Sequence, residues 1–205
     1  MEMFSARRAR ADARRYRRRG LDARARRLVG AIQAAVPLSG ASVLEIGAGV
    51  GSVSLELLRR GAARATIVEA SPHAAVEART LAQEAGVQDR LEIVVADYAA
   101  MEKDGRSYDV VVLDRVVCCY PDWRGLLAPA VAAAWRALAM TYPRDVWWAR
   151  GMIGALNLLQ ALIRRRFRAF VHPPAAMQEE LRRGGVVPQR AARVGPWELV
   201  IAPRR

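Results

Sequence analysis

The sequence is poor in the residues that staple, stack or anchor a chain. Of its 205 residues two are cysteine, two histidine and three phenylalanine, and Lys103 is the only lysine. Cys118 and Cys119 are adjacent. Neighbours in sequence rarely close a disulfide, so no disulfide framework is expected and a reducing, cytoplasmic setting fits best. In the N-terminal arginine run only Phe4 and Tyr16 are aromatic, which leaves few platforms on which single-stranded nucleic acid could stack. The longest nearly uninterrupted apolar stretch, residues 151–163, falls short of the ~20 residues that span a bilayer, which excludes a multi-pass membrane protein. The opening MEMFSARRAR lacks the apolar stretch of a secretory signal, though its arginine-rich, acid-poor start also has the composition of an organellar transit peptide.

What is present is apolar bulk and arginine. Apolar residues make up 53% of the chain, enough for one domain with its own core. The formal net charge of +13 is unevenly spread. Residues 1–29 hold eleven arginines against three acids, residues 30–143 ten basic against thirteen acidic groups, and residues 144–205 twelve arginines against four acids. Two basic ends flank a mildly acidic middle, unlike the continuous basic stripe of a dedicated nucleic-acid module.

Periodicity organises the middle. A β-branched and apolar run at residues 42–46 ends in Gly47, Gly49 and Gly51, and residues 52–60 follow with helical spacing at Val53, Leu57 and Leu58. The alternation continues with strands expected at 65–69, 91–96, 109–113 and 138–142, and helices at 72–85 and 122–137. Strands alternating with helices imply a parallel sheet covered on both faces. Beyond it, residues 145–170 read as an inserted helical region and 173–183 as a further helix stopped by Gly184-Gly185. Residues 186–194 and 197–202 read as two strands joined at Gly195-Pro196. Ahead of it, residues 5–34 are helical in composition, with a break between Tyr16 and Asp22.

The glycine loop Gly47-Ala48-Gly49-Val50-Gly51 carries the first chemical signal. Three alternate glycines between a strand and a helix let a ligand approach the backbone, and the helix start offers free N–H groups. A dinucleotide fingerprint requires G-x-G-x-x-G/A, whereas here the glycines run G-x-G-x-G and Ser52 follows. Acidic residues supply the context. Glu69 ends the second strand and can accept from both hydroxyls of a ribose, Asp97 follows the third and can accept from an adenine amino group, and Glu45 stands at the loop entrance, where a cationic group can rest. All lie at C-terminal strand ends, where open α/β sheets bind ligands.

These residues give the chain its resemblance to class I S-adenosylmethionine-dependent methyltransferases, covering residues 40–142. VLEIGAGVG matches the glycine motif, TIVEAS carries the ribose acid, VVADY the adenine-side acid and YDVVVLDRV the fourth strand. The resemblance implies a three-layer αβα sandwich on a doubly wound, mostly parallel seven-stranded sheet with an antiparallel last strand, and S-adenosyl-L-methionine as cofactor. It places Ala70 and Tyr98 beside Glu69 and Asp97, and Asp114-Arg115 around the cofactor through backbone contacts, with Tyr16 as a contact from an N-terminal cap. No metal is expected. An acidic centre suits a sulfonium better than a phosphate-rich dinucleotide.

The implied division is a single domain: basic cap helices at 1–39, a cofactor-binding core at 40–143, a helical lid at 144–171, and a last helix with a strand hairpin at 172–205. Tyr120, near the end of the fourth strand, and His172, after the lid, are the candidate catalytic side chains. Cys118 and Cys119 read as small packing residues. No Asn-Pro-Pro-Tyr or Asp-Pro-Pro-Tyr follows the fourth strand, which argues against amino-directed nucleic-acid methyltransferases. The layout from Tyr142 through the lid to His172 is similar, diffusely, to magnesium-protoporphyrin methyltransferases, which act on a large planar carboxylate. A small, apolar or anionic acceptor is the expected partner. Two alternatives stay open on the sequence: a nucleic-acid methyltransferase or binder using the basic ends, and a membrane-surface enzyme using Trp147-Trp148 and Arg164-Arg165-Arg166.

Overall fold

Strict alternation assigns each strand residue to one of two cores. In the computed structural model, which describes residues 5–163 and 167–204, strand β4 (Tyr108–Asp114) sends Val110 and Val112 to one side of the sheet and Val111 and Leu113 to the other. Its neighbour β1 (Ser42–Ile46) does the same with Val43 on one side and Leu44 and Ile46 on the other. Strands buried on both faces read as continuous apolar runs, and these do. Strands β2 (Arg64–Glu69) and β3 (Leu91–Val95) extend the sheet beyond β1, and β5 (Ala134–Pro143) lies beside β4, all parallel. The full order is β3-β2-β1-β4-β5-β7-β6, with β7 (Trp197–Pro203) antiparallel between β5 and β6 (Gln189–Val194).

Helices cover both faces. On one, α2 (Ala23–Ala35), α3 (Ser52–Arg59) and α4 (Pro72–Glu84) bury Leu28, Ile32, Leu55 and Leu81. On the other, α5 (Trp123–Ala133) and α7 (Pro174–Arg183) bury Leu126, Leu127, Met177 and Leu181. The N-terminal α1 (Ala6–Arg19) runs against α4 and is tied to it by a two-point pair from Arg17 Nε and Nη2 to the Glu84 carboxylate at 2.7 and 2.9 Å. The expected break falls at residues 20–22, where Gly20 takes φ 64° and Asp22 caps α2 by accepting from the Ala25 N–H at 2.8 Å.

Three boundaries depart from expectation. The helix expected at 122–137 stops at Ala133, and β5 begins at Ala134 rather than Leu138. Pairing of Ala134 with Tyr108 and of Ala137 with Val110, plus the Arg136–Asp109 ion pair at 2.9 Å, outweighs the helix propensity of an alanine-rich stretch. The strand expected from Val186 begins at Gln189. Pro188 has no N–H to give a ladder, and Val186 makes only an isolated bridge to Arg204. The inserted region is helical only at α6 (Trp147–Leu162); residues 167–172 run back without helix. The arginines at 164–166 lie outside the described residues.

The last strands are bolted down from one residue. The Arg204 guanidinium donates to the carbonyls of Ala134, Gly184 and Val131 at 2.8, 2.9 and 2.8 Å, joining β5, α7 and α5 to the segment after β7.

Candidate active site

The site lies at the C-terminal ends of the parallel strands. In the loop after β1, Gly47, Gly49 and Gly51 have φ of 66, 57 and 71°, a region in which an L side chain is strained. The Gly47 N–H donates to Val68 O at 2.8 Å, tying the loop to β2. A Cβ on Gly47 would stand 2.4 Å from a Val116 methyl, whereas one on Gly49 would meet nothing within 4 Å. Gly47 therefore serves packing, while Gly49 leaves bare backbone facing open space. Gly47→Ala is expected to cost about 2 kcal/mol or more, from left-handed strain plus overpacking against Val116, read as a lowered thermal midpoint.

Two buried glutamates shape the loop. Glu69 accepts from the Gly49 N–H and the Ser71 N–H, both at 2.7 Å, one on each carboxylate oxygen. Burial raises its pKa above the ordinary value, against the pull of those N–H groups. Glu45 is fully buried, and one of its oxygens accepts from both the N–H and the hydroxyl of Ser54 in α3, at 2.8 and 2.6 Å. Burial pushes its pKa up to about 7, with Asp114 and Glu69 adding to the rise.

At the end of β4 the chain builds a polar bolt that the sequence did not announce. Asp114 is ion-paired to Arg24 of α2 and accepts from the Thr141 hydroxyl at 2.6 Å; Thr141 in turn accepts from the Arg115 N–H at 2.9 Å. Arg24 also reaches Asp22 at 3.1 Å. Arg115 is the one non-glycine residue with positive φ among the described residues, at 58°, and its exposed side chain makes no hydrogen bond among them. Arg24 and Thr141 were missed because one arginine among eleven in the first 29 residues carries no local signal. Only the fold brings α2 to β4.

The other expected residues divide. Exposed Asp97 follows β3 and accepts from the Tyr120 hydroxyl at 2.6 Å, closing a link across the strand ends. Burial and that bond push the Tyr120 pKa up. Tyr98, next in the chain to Asp97, is buried in the core, its pKa raised to about 12 by burial, and Ala70 and Ala48 are half-buried beside Glu69 and Gly49. Tyr16, on α1, packs on the core with its hydroxyl against Arg59 and within electrostatic reach of Glu56 and Glu45; burial raises its pKa. His172 is buried, with Nε2 3.2 Å from Val117 O, its ring stacked on Phe170 at 5.9 Å and tilted against Trp123 at 6.1 Å. Burial lowers its pKa below the ordinary value, against the pull of the Val117 and Tyr120 backbone. The Cys118 and Cys119 sulfurs both lie near Arg115 O, at 3.6 and 3.5 Å; their mutual hydrogen bond raises the pKa of Cys118 and lowers that of Cys119. Surface clefts lined by Trp135, Arg136 and Arg204 are at the other end of the sheet.

Glu45, Glu69 and Asp114 thus gather at the C-terminal strand ends, Asp114 paired with Arg24, beside a glycine loop of bare backbone and an exposed Asp97. This donor set fits a nucleoside joined to a cationic tail: acceptors for ribose and adenine, and spare negative charge for a cation. Residues 43–139 match the methyltransferase domain family. No curated protein matches the chain. The magnesium protoporphyrin IX methyltransferase of Synechocystis PCC 6803 with bound SAH shares the fold with TM-score 0.70 and 23% identity, over 88% of this chain and 82% of that one. An O-methyltransferase family 2 protein of Planctomyces limnophilus DSM 3776, in complex with apigenin, gives TM-score 0.71 and 18% identity, over 98% of this chain and 62% of that one. The mitomycin 7-O-methyltransferase MmcR gives 0.64 and 22%, over 95% and 58%. The structural likenesses show the fold, and the stretch that matches the methyltransferase domain, residues 43–139, holds the strands and the glycine loop of the site.

Proposed function

We propose that the enzyme methylates a small apolar acceptor that arrives already ionised. The observation that supports this is the state of the two candidate bases. Tyr120 donates its proton to Asp97 and has a raised pKa; His172 has Nε2 against the Val117 carbonyl and a lowered one. Neither is poised to take a proton from a neutral hydroxyl, and an ionised acceptor needs no base. Trp123, Phe170 and His172 supply an aromatic cluster beside the β4 end, and exposed Arg115 supplies a cation for a carboxylate or phenolate.

When bound, S-adenosyl-L-methionine supplies an electrophilic methyl group on its sulfonium. The residues hold and orient. Gly47, Ala48, Gly49 and Gly51 present backbone, Glu69 takes the ribose hydroxyls, and Asp97 with Ala70 and Tyr98 meets the adenine. Glu45 and Asp114 face the positive tail. Tyr120, bonded to Asp97, closes the adenine end, and His172 positions the 117–120 loop instead of moving a proton. The chain's contribution to rate is then alignment and exclusion of water.

Labelled-methyl transfer to a panel of aromatic carboxylates, phenols and neutral alcohols tests this reading. Turnover is expected with the ionised acceptors, at a rate that does not track a histidine titration. Transfer confined to neutral acceptors, with a rate rising through the pKa of His172, overturns it. The cofactor side has its own pH signature. Glu45 carries negative charge only above its pKa of about 7, so affinity for the cationic cofactor should fall as pH drops below 7, by at most about tenfold per unit for one linked proton. Titration calorimetry at pH 6 and 8 reads this directly, and Glu45→Gln should flatten the profile.

A further inference from the structure

Among the described residues, most of the exposed large apolar side chains belong to α6. Its buried residues, Ala149, Ile153 and Gln160, fall in one sector when the helix is projected at about 100° per residue. Trp147, Trp148, Met152, Leu158, Leu159 and Leu162 occupy the opposite half-circle, with Trp147 85%, Leu162 72% and Leu158 62% exposed. Gly151 and Ala155 fill the gaps in that half, which contains no polar side chain. Scattered exposed apolar residues are ordinary; a half-helix of them is not.

The charge around this face is of one sign. Among the described residues from 144 to 178, Arg144, Arg150 and Arg168 stand against Asp145 alone. Asp145 is taken by Arg150 at 2.5 Å, and Arg144 stacks over Trp148 at 5.7 Å, at the beginning of the helix. No helix among the described residues is long and apolar enough to cross a membrane. A tryptophan pair and arginines flanking a leucine-rich half-helix match what the bilayer interface selects: apolar side chains among the acyl chains, indole and guanidinium at headgroup level. A second copy of the chain would bring the same positive charge to the contact, whereas anionic lipid neutralises it.

We propose that α6 is an interfacial helix that lays its exposed half on an anionic lipid surface, without spanning it. The anchor is independent of the acceptor assigned above, because its readout is lipid binding and not methyl transfer.

The test is flotation of the full chain with vesicles of phosphatidylcholine alone or mixed with phosphatidylglycerol, at low and raised salt. The chain is expected to float with the anionic vesicles, less so in raised salt, and Trp147→Ser with Leu158→Ser to weaken binding at least tenfold by the loss of two buried anchors. Titration of the double variant with S-adenosyl-L-methionine checks that it is folded. Should it fail to fold, quenching of wild-type tryptophan fluorescence by brominated lipid reports insertion directly. No flotation and no quenching with anionic vesicles overturns the proposal. So does flotation unchanged in the folded double variant, which would assign binding to the other arginines. A dimer by light scattering that the double variant dissociates, without lipid binding, would give the face to a second copy and likewise overturn it.

Discussion

Replacing Arg24 with alanine is expected to lower the unfolding free energy by about 3–5 kcal/mol, the cost of leaving one partner of a buried ion pair alone. Arg24 and Asp114 are both nearly inaccessible, with side chains 6% and 9% exposed. Without the guanidinium, Asp114 retains only the Thr141 hydroxyl among its described partners, and Asp22 loses its second bond while still capping α2. The loss therefore strikes both the sheet end and the attachment of the N-terminal helices. Urea denaturation measures it. A paired replacement, Arg24→Met with Asp114→Leu, should recover most of the stability, since apolar groups of similar volume need no counter-charge. The paired variant should nevertheless bind the cofactor less well, having removed one of the three carboxylates. A single variant as stable as the wild type would mean that water reaches Asp114 freely.

Glu69→Ala should weaken S-adenosyl-L-methionine binding by about 1.5–3 kcal/mol, roughly tenfold to a hundredfold, through loss of two charge-assisted hydrogen bonds to the ribose. Glu69→Gln is the sharper experiment. Each oxygen of the native carboxylate already faces a backbone N–H, from Gly49 or Ser71. A glutamine must turn its NH2 toward one of those donors, so it disturbs the glycine loop as well as the ribose contact and should bind scarcely better than alanine. Calorimetric titration of both variants decides it; unchanged affinity in either would remove Glu69 from the site.

The parts of this protein that were legible beforehand are those governed by local rules. Period-two and period-3.6 patterns, punctuated by glycine, placed β1 to β4 and α3 and α4 within about two residues, and the glycine loop and its acids fall together at the strand ends. Where tertiary pairing competes with propensity, as at Ala134 to Ala137, local rules gave helix and the sheet took strand. Contacts between distant segments left no trace at all. Nothing around Arg24 distinguishes it from Arg26 or Arg27, yet it is buried and they are exposed. His172, after the insertion, carried the signal of a base, and nothing local announced the Val117 carbonyl and the Phe170 ring that pack against it.

The antiparallel insertion of β7 has a bearing on how the chain is made. During synthesis β1 to β5 emerge in order, each able to pair with a strand already present, but β5 has no neighbour on its outer side until residues 197–203 arrive to fill the gap before β6. For more than fifty residues of elongation a buried-type strand, Leu138, Ala139 and Met140 among it, presents an unpaired edge of the sort that invites another nascent chain. The Arg204 clamp on Ala134, Gly184 and Val131 closes only after that. Crowded ribosomes and slow decoding of the last segment should therefore reduce the yield of native enzyme more than its final stability would suggest.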